Sequence, residues 1–199
     1  VRKDALYCDG DTPRRRAART VLVHLHDRLV PWLAPILPFT MEEAWLDRHG
    51  GEGASVHLTD FPDTPAEWRD DALAARWGTV RAARRVVTGA LEPQRTAKVI
   101  GASLEAAPVV HVDGATAAAL DGVDFADLCI TSAIAVTREP APEGAFRLPD
   151  VPGVAVAFAL AEGAKCQRCW RILPDVGTHA HPGTCARCEE ALAEADGAR

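Results

Sequence analysis

The sequence predicts an α+β protein built in three pieces. Three observations predict it: apolar residues recur at helical spacing through most of the first half, short β-branched runs follow Pro93, and a C-x2-C-x15-C-x2-C pattern lies near the end. With 199 residues, 48% hydrophobic and 25% charged, the chain suffices for one ordinary domain or two small ones. That composition excludes collagen-like and wholly disordered classes. No apolar run approaches the ~20 residues of a membrane helix and no signal-peptide pattern opens the chain. The expectation is a cytoplasmic protein with no membrane partner.

The first helix is expected over residues 12–33. Ala18, Val21, Leu22, Leu25 and Leu29 share one face, Thr12 is a candidate N-cap, and Pro13 suits the first helical position. Arg14, Arg15, Arg16 and Arg19 crowd its other side. Pro31, Pro35 and Pro38 interrupt the pattern, and a second helix follows over Met41–Arg48 with Thr40 as its cap. Gly50, Gly51 and Gly53 punctuate a loop, and residues 56–66 read as an extended linker. Asp70–Leu91 is the longest helix, its stripe formed by Leu73, Trp77, Val80, Val87 and Leu91. Strands are expected within Leu104–Val112, Leu128–Val136 and Val154–Leu160, with a short helix at Gly114–Leu120 between the first two. The pieces are thus residues 1–65 (helical), 66–162 (small α/β) and 163–199 (a zinc module). The chain opens at Val1 and its single methionine is Met41. Two helices cannot hide an apolar face on every side, so the expectation is part of a longer chain with further helices ahead of Val1.

Cys166, Cys169, Cys185 and Cys188 make the C-x2-C-x15-C-x2-C pattern. Each C-x2-C forms a knuckle aiming two thiolates at one point, and two knuckles complete a tetrahedron around Zn2+. Four thiolates leave no open position for water, so such an ion is structural. Disulfide pairing, or replacement of a thiolate by His179 or His181, are the alternatives. Cys8 and Cys129 stand alone and read as small buried hydrophobes.

The formal net charge of −6 argues against a nucleic-acid partner until it is divided along the chain. Residues 1–28 carry seven basic against four acidic groups. Residues 76–98 carry Arg76, Arg81, Arg84, Arg85, Arg95 and Lys98 against Glu92 alone. Residues 165–188 carry Lys165, Arg168, Arg171 and Arg187 against Asp175. The acidity is concentrated elsewhere, and three basic segments are free to follow a phosphate backbone. The plainer alternative is arginines that solvate helix faces.

Four strings then carry a resemblance: KDALYCD (Lys3–Asp9), LVPWLAPILPFTMEEAW (Leu29–Trp45), KVIGASLEA (Lys98–Ala106) and CQRCW (Cys166–Trp170). Together they resemble the C-terminal part of the bacterial isoleucyl-tRNA synthetases, a class I aminoacyl-tRNA synthetase family. The resemblance runs in order from about residue 2 to residue 190. The second string is shared with the valyl, leucyl and methionyl enzymes; SLEA followed by CxRCW and CxRC is more specific.

This resemblance implies part of a helical anticodon-binding domain, then a junction domain, then a zinc-binding domain reaching the anticodon loop of isoleucine tRNA. The family's catalytic core with its HIGH-type and KMSKS-type signatures, its ATP and Mg2+, and its editing domain are not in this stretch, which carries no catalytic residue. The implied partners are tRNA(Ile) and those N-terminal catalytic and editing domains. In that frame Trp170 stacks on an unstacked base, or else packs over the knuckle. Arg168, Arg171 and Arg187 are candidate phosphate or base contacts, or simply solvent-exposed. Arg81, Arg84, Arg85, Arg95 and Lys98 track the RNA backbone or bridge to the acidic piece. Trp32, Trp45, Trp68 and Trp77 read as core. Two other functions compete: the zinc-finger tail of a formamidopyrimidine-type DNA glycosylase, whose N-terminal proline nucleophile has no counterpart in Val1-Arg2, and a purely structural zinc module.

Overall fold

A computed structural model describes residues 3–197 and divides into two units, one ending at Arg69 and one beginning at Asp70. In the first, helices α1 (Lys3–Tyr7), α2 (Pro13–Leu33) and α3 (Pro38–His49) follow one another. α2 starts where its residues dictate: Thr12 Oγ1 accepts the Arg15 N–H at 3.1 Å and Pro13, lacking an N–H, costs nothing in the first turn. α3 starts earlier than its sequence suggests. Pro38 opens it, and Thr40 lies inside it instead of capping it, because the fixed φ of proline sets the first turn without a side-chain cap. Residues 56–66 are not a plain extended linker. Val56–Leu58 forms a 3-10 turn, held to α3 by the Glu42 carboxylate, which accepts from Ser55 Oγ at 3.0 Å and Val56 N at 2.9 Å.

The core of this unit is small: Val30, Ala34 and Val56, with Met41, Ala44 and Trp45 against them. The apolar face expected on α2 forms, but Val21, Leu22, Leu25 and Leu29 are between 40% and 56% exposed. Trp32 and Trp68 are exposed as well, which corrects their reading as core. Their polar partners explain the placement: Trp32 Nε1 donates to Pro62 O at 3.3 Å, and the Trp68 ring lies 4.2 Å beneath the Arg28 guanidinium.

The second unit is organised by α4 (Asp71–Thr96), with Asp70 as its N-cap accepting the Leu73 N–H at 2.8 Å. The helix outruns its expected end at Leu91. Pro93 withholds one N–H, but the ladder resumes beyond it, with Ala97 N donating to Pro93 O at 2.9 Å. A three-stranded sheet packs on α4 in the order β2-β1-β3, from β1 (Val109–Val112), β2 (Ala135–Thr137) and β3 (Val154–Ala157). β1 and β2 are parallel, Val110 opposite Val136, and β3 is antiparallel to β1, Val110 opposite Val156. The parallel crossover carries α5 (Gly114–Leu120) and α6 (Phe125–Cys129). Val80, Ala83, Val86, Val87 and Ala90 of α4 meet Val110, Val112, Val154 and Val156 in one core, joined by Leu120, Phe125 and Cys129. Gly89 lets α4 approach this layer, since a Cβ there would stand 2.9 Å from the Phe146 ring.

All three strands are shorter than their apolar runs. Leu104 lies in a 3-10 turn (Ser103–Glu105), and Leu128 and Cys129 end α6. Asp124 caps α6 through Asp127 N at 3.0 Å, and Ile130, at φ +61°, closes it in the left-handed region. These local bonds override β-branched composition. Cys8 and Cys129 are both buried. Among the described residues no helix is long and apolar enough to cross a membrane.

Candidate metal centre and nucleic-acid surface

The last part of the second unit is a hairpin, a turn-rich loop and a helix. β4 (Ala164–Lys165) pairs antiparallel with β5 (Ile172–Leu173). Gly163, at φ +112°, lets the hairpin close; a Cβ would fall 2.3 Å from the Leu173 backbone. Between the strands the first knuckle folds on itself: Cys166 N donates to Arg171 O at 2.8 Å and Trp170 N to Cys166 O at 2.9 Å. The second knuckle opens α7 (Ala186–Gly197), whose first N–H, on Ala186, is taken by Asp175 Oδ2 at 2.7 Å. Gln167 N donates to Gly183 O at 2.8 Å and so joins the two knuckles.

This folding brings Cys166, Cys169, Cys185 and Cys188 together, all buried, with their sulfurs within 4.8 Å of one another. Cys169 Sγ and Cys185 Sγ stand 3.7 Å apart. Zinc–sulfur bonds of about 2.3 Å set tetrahedral sulfur–sulfur edges near 3.8 Å, whereas a disulfide needs about 2.05 Å. All four cysteines are free thiols, so donor type, number and spacing fit a zinc site and not a pair of disulfides. The two histidines are turned to carboxylates: His179 Nε2 lies 3.2 Å from Asp175 Oδ2, and His181 Nδ1 3.1 Å from Glu189 Oε2. Burial pushes the Cys169 and Cys185 thiols up to about 11. At Cys166 burial is outweighed by the N–H groups of Cys169, Arg168 and Cys185, which bring it down to about 6. With burial opposing ionisation at Cys169 and Cys185, a bound cation would be what holds all four sulfurs as thiolates.

Beside the sulfurs stand the other candidates of the zinc module. Trp170 sits at φ +70°, in the left-handed region, and is 52% exposed. Arg168 is half-buried, and its Nη1 is enclosed with no hydrogen-bond partner among the described residues. Arg187 is half-buried, and Arg171 Nε donates to Thr131 O at 3.4 Å.

The basic residues of α4 are not gathered there, and most are engaged nearby. Arg84 Nε donates to Leu128 O at 2.9 Å, Arg85 pairs with Asp150, and Arg95 bonds Glu92 and Ser103 Oγ. Arg81 and Lys98 are exposed, Lys98 at φ +58° just past the helix end. Two residues that hold the second knuckle carry no motif signal, Asp175 and Glu189. The Glu189 carboxylate accepts from His181 N at 3.2 Å and Thr184 Oγ1 at 3.0 Å. Thr184 and Glu189 are five residues apart, not the three of a capping box, so no local pattern marks them.

In the first unit His26, Asp27 and His49 also cluster, with ligand-type atoms within 4.8 Å. Arg48 Nε already donates to the shared Asp27 Oδ1 at 3.0 Å, and His26 Nε2 meets Ala44 O at 3.0 Å. The group ties α2 to α3 from within the protein.

Comparison with known proteins adds two family matches. Residues 1–111 match the family described as the anticodon-binding domain of tRNA ligase. Residues 163–191 match the zinc finger found in FPG and IleRS. The isoleucine–tRNA ligase of Ruegeria pomeroyi is 65% identical over 193 residues, covering 96% of this chain and 20% of that protein. The corresponding ligases of Brucella abortus and Agrobacterium fabrum are 55% and 54% identical over 197 residues, 98% of this chain and again 20% of theirs. The chain spans about a fifth of the length of these relatives.

Proposed function

Since the chain belongs to the anticodon-binding domain family of tRNA ligases, we propose that it is the tRNA-binding C-terminal region of an isoleucine–tRNA ligase. It holds tRNA(Ile) by the anticodon end and so places the acceptor end in a catalytic core, with its ATP and Mg2+, that lies outside this sequence. Its setting is the cytoplasm. Residues 1–65 act as part of the helical anticodon-binding domain, 66–162 as a junction, and 163–199 as the zinc-binding domain.

The observation that carries this reading is the conjunction at the first knuckle. Four converging buried sulfurs lie under a turn whose last residue, Trp170, stands exposed in a left-handed conformation. Cys166, Cys169, Cys185 and Cys188 would hold one structural Zn2+, which fixes both knuckles and offers no open coordination position. Trp170 presents a flat face to an unpaired base, and Arg168 and Arg187 lend positive charge beside it. On α4, Arg81 and Lys98 are the better candidates for phosphate contact, because Arg84, Arg85 and Arg95 are used in holding the second unit together. Arg171 is divided between the two roles by its bond to Thr131 O. Anticodon binding of this kind adds specificity through differential affinity, since a wrong anticodon loses stacking and hydrogen bonds that the right one gains.

A gel-shift titration of the chain against tRNA(Ile) and an anticodon-altered version, over a salt series, tests the reading. Tighter binding of the cognate tRNA, with affinity falling steeply as salt rises, is the expected result. Equal affinity for both would remove anticodon recognition.

A further inference from the structure

Ser132 belongs to no motif, yet it is 2% exposed and its hydroxyl is used twice. It donates to Leu104 O and accepts the Ile172 N–H at 2.7 Å, while Ser132 N donates to Ala106 O at 3.1 Å. Leu104 and Ala106 lie in the SLEA string, and Ile172 opens β5, two residues after Trp170. The neighbouring backbone joins in, with Thr131 O accepting from Arg171 Nε at 3.4 Å.

The base of this junction is firmly built. Thr131 is fully buried and its hydroxyl donates to Ala126 O at 3.3 Å. SLEA is tied to α4 through Arg95 and Ser103, to the loop ahead of it by Glu105 Oε2 accepting Gly101 N at 2.9 Å, and to the chain beyond β3 by Glu105 O accepting Ala161 N at 2.8 Å. The hairpin on the other side is only two residue pairs long, too short to fix its own orientation. Ile172 and Arg171 tie its outgoing strand to this base, as the Ala161–Glu105 bond ties the chain that enters it.

We propose that Ser132 is a positioning residue for RNA binding: its hydroxyl sets the angle at which the zinc hairpin, and with it the indole of Trp170, is presented to an unpaired base. This rests on the reading that Trp170 faces RNA. Serine suits the place because one hydroxyl both accepts from the hairpin and donates to SLEA, which alanine cannot do. A buried group with two such bonds has one orientation, and that orientation is passed to the chain leaving the indole.

The test is a double-mutant cycle in the full chain, with tRNA(Ile) affinity by gel shift at one salt concentration and zinc content for every variant. Ser132→Ala should weaken binding about five- to tenfold with its zinc retained. Combined with Trp170→Ala it should add little to the loss that Trp170→Ala causes alone, because both act through one indole. Ser132→Cys, similar in volume but a weak donor and acceptor, is read in its place if the alanine variant does not fold. Wild-type affinity in the Ser132 variant, or losses that multiply in the double variant, would overturn the proposal while leaving Trp170 as an RNA contact. Wild-type affinity in Trp170→Ala would instead remove the reading on which it rests.

Discussion

α2 and α4 are the two long helices of the molecule, and they treat their apolar faces differently. α4 buries Val80, Ala83, Val86, Val87 and Ala90 against a sheet and two short helices, and Leu91 against Ile100 and Ala106. α2 buries Val30 and Pro31, and leaves Val21, Leu22, Leu25 and Leu29 substantially exposed. Both faces were written with the same periodicity. The spacing of apolar residues states which side of a helix is apolar; whether that side contributes to stability depends on what is brought against it. In the second unit β1 and β3 supply the covering layer, and the zinc module adds a second centre of order that needs little apolar area because four sulfurs converge.

The largest effect should follow from attacking that second centre. Removing zinc with a strong chelator, or replacing a ligand by Cys188→Ser, should unfold residues 163–197 while α4 and the sheet persist. Structural zinc sites contribute on the order of 10 kcal/mol to folding at neutral pH. Hydrogen exchange measured by fragment should show protection lost in α7 and the β4–β5 hairpin and kept in β1 and β3. Loss of protection throughout the second unit would mean that the two centres are one cooperative structure.

Next in size is a direct contrast between the helices. Leu91 is 1% exposed, and Leu91→Ala should cost about 2–5 kcal/mol, from lost transfer energy plus the cavity left behind. Leu25→Ala, on the exposed face of α2, should change stability by less than about 0.5 kcal/mol. Urea unfolding followed by circular dichroism separates these cases. A large loss for Leu25→Ala would show that the α2 face is covered in solution, for instance by self-association, which sedimentation would detect.

A smaller effect belongs to Trp170, exposed where the α4 core residues are buried. Trp170→Ala should weaken tRNA(Ile) binding by about 1–3 kcal/mol, the usual worth of one base stacked on an aromatic ring. Stability and zinc content should stay unchanged. A fall in the urea midpoint with unaltered RNA affinity would return Trp170 to a packing role.

How much of this was legible in the residues depends on how local each cause is. The four cysteines needed only spacing, and Thr12 and Asp70 mark helix starts because a cap acts within one turn. The strand ends were not legible. Leu128–Val136 reads as one β-branched run, and what divides it is Ile130 in the left-handed region after a capped turn. β-propensity measures fit to a surface that distant residues supply, so it cannot locate that break. Ser132 and Asp175 were invisible for the same reason: Ile172, Leu104 and Ala186, which give them their roles, lie 40, 28 and 11 residues away.

The smallest effect tests how the first unit holds together with so little core. Asp27 joins α2 to α3 through His26, His49 and Arg48. Burial raises its carboxyl, but the hydrogen bonds from His26 and His49 and the charge of Arg48 outweigh burial and hold it below the ordinary 3.8. A carboxyl lowered on folding stabilises the folded state at pH values above its unfolded value. That contribution is lost as pH falls from about 3.8 through the lower folded value. Asp27 is a third exposed, so solvent screening keeps the worth of the cluster below about 1 kcal/mol. Asp27→Asn should therefore lower the urea midpoint slightly at pH 6, and the gap from the parent chain should narrow as pH falls below about 3.8. A gap that does not narrow below that pH would assign the tie to the hydrogen bonding of the carboxyl group and not to its charge.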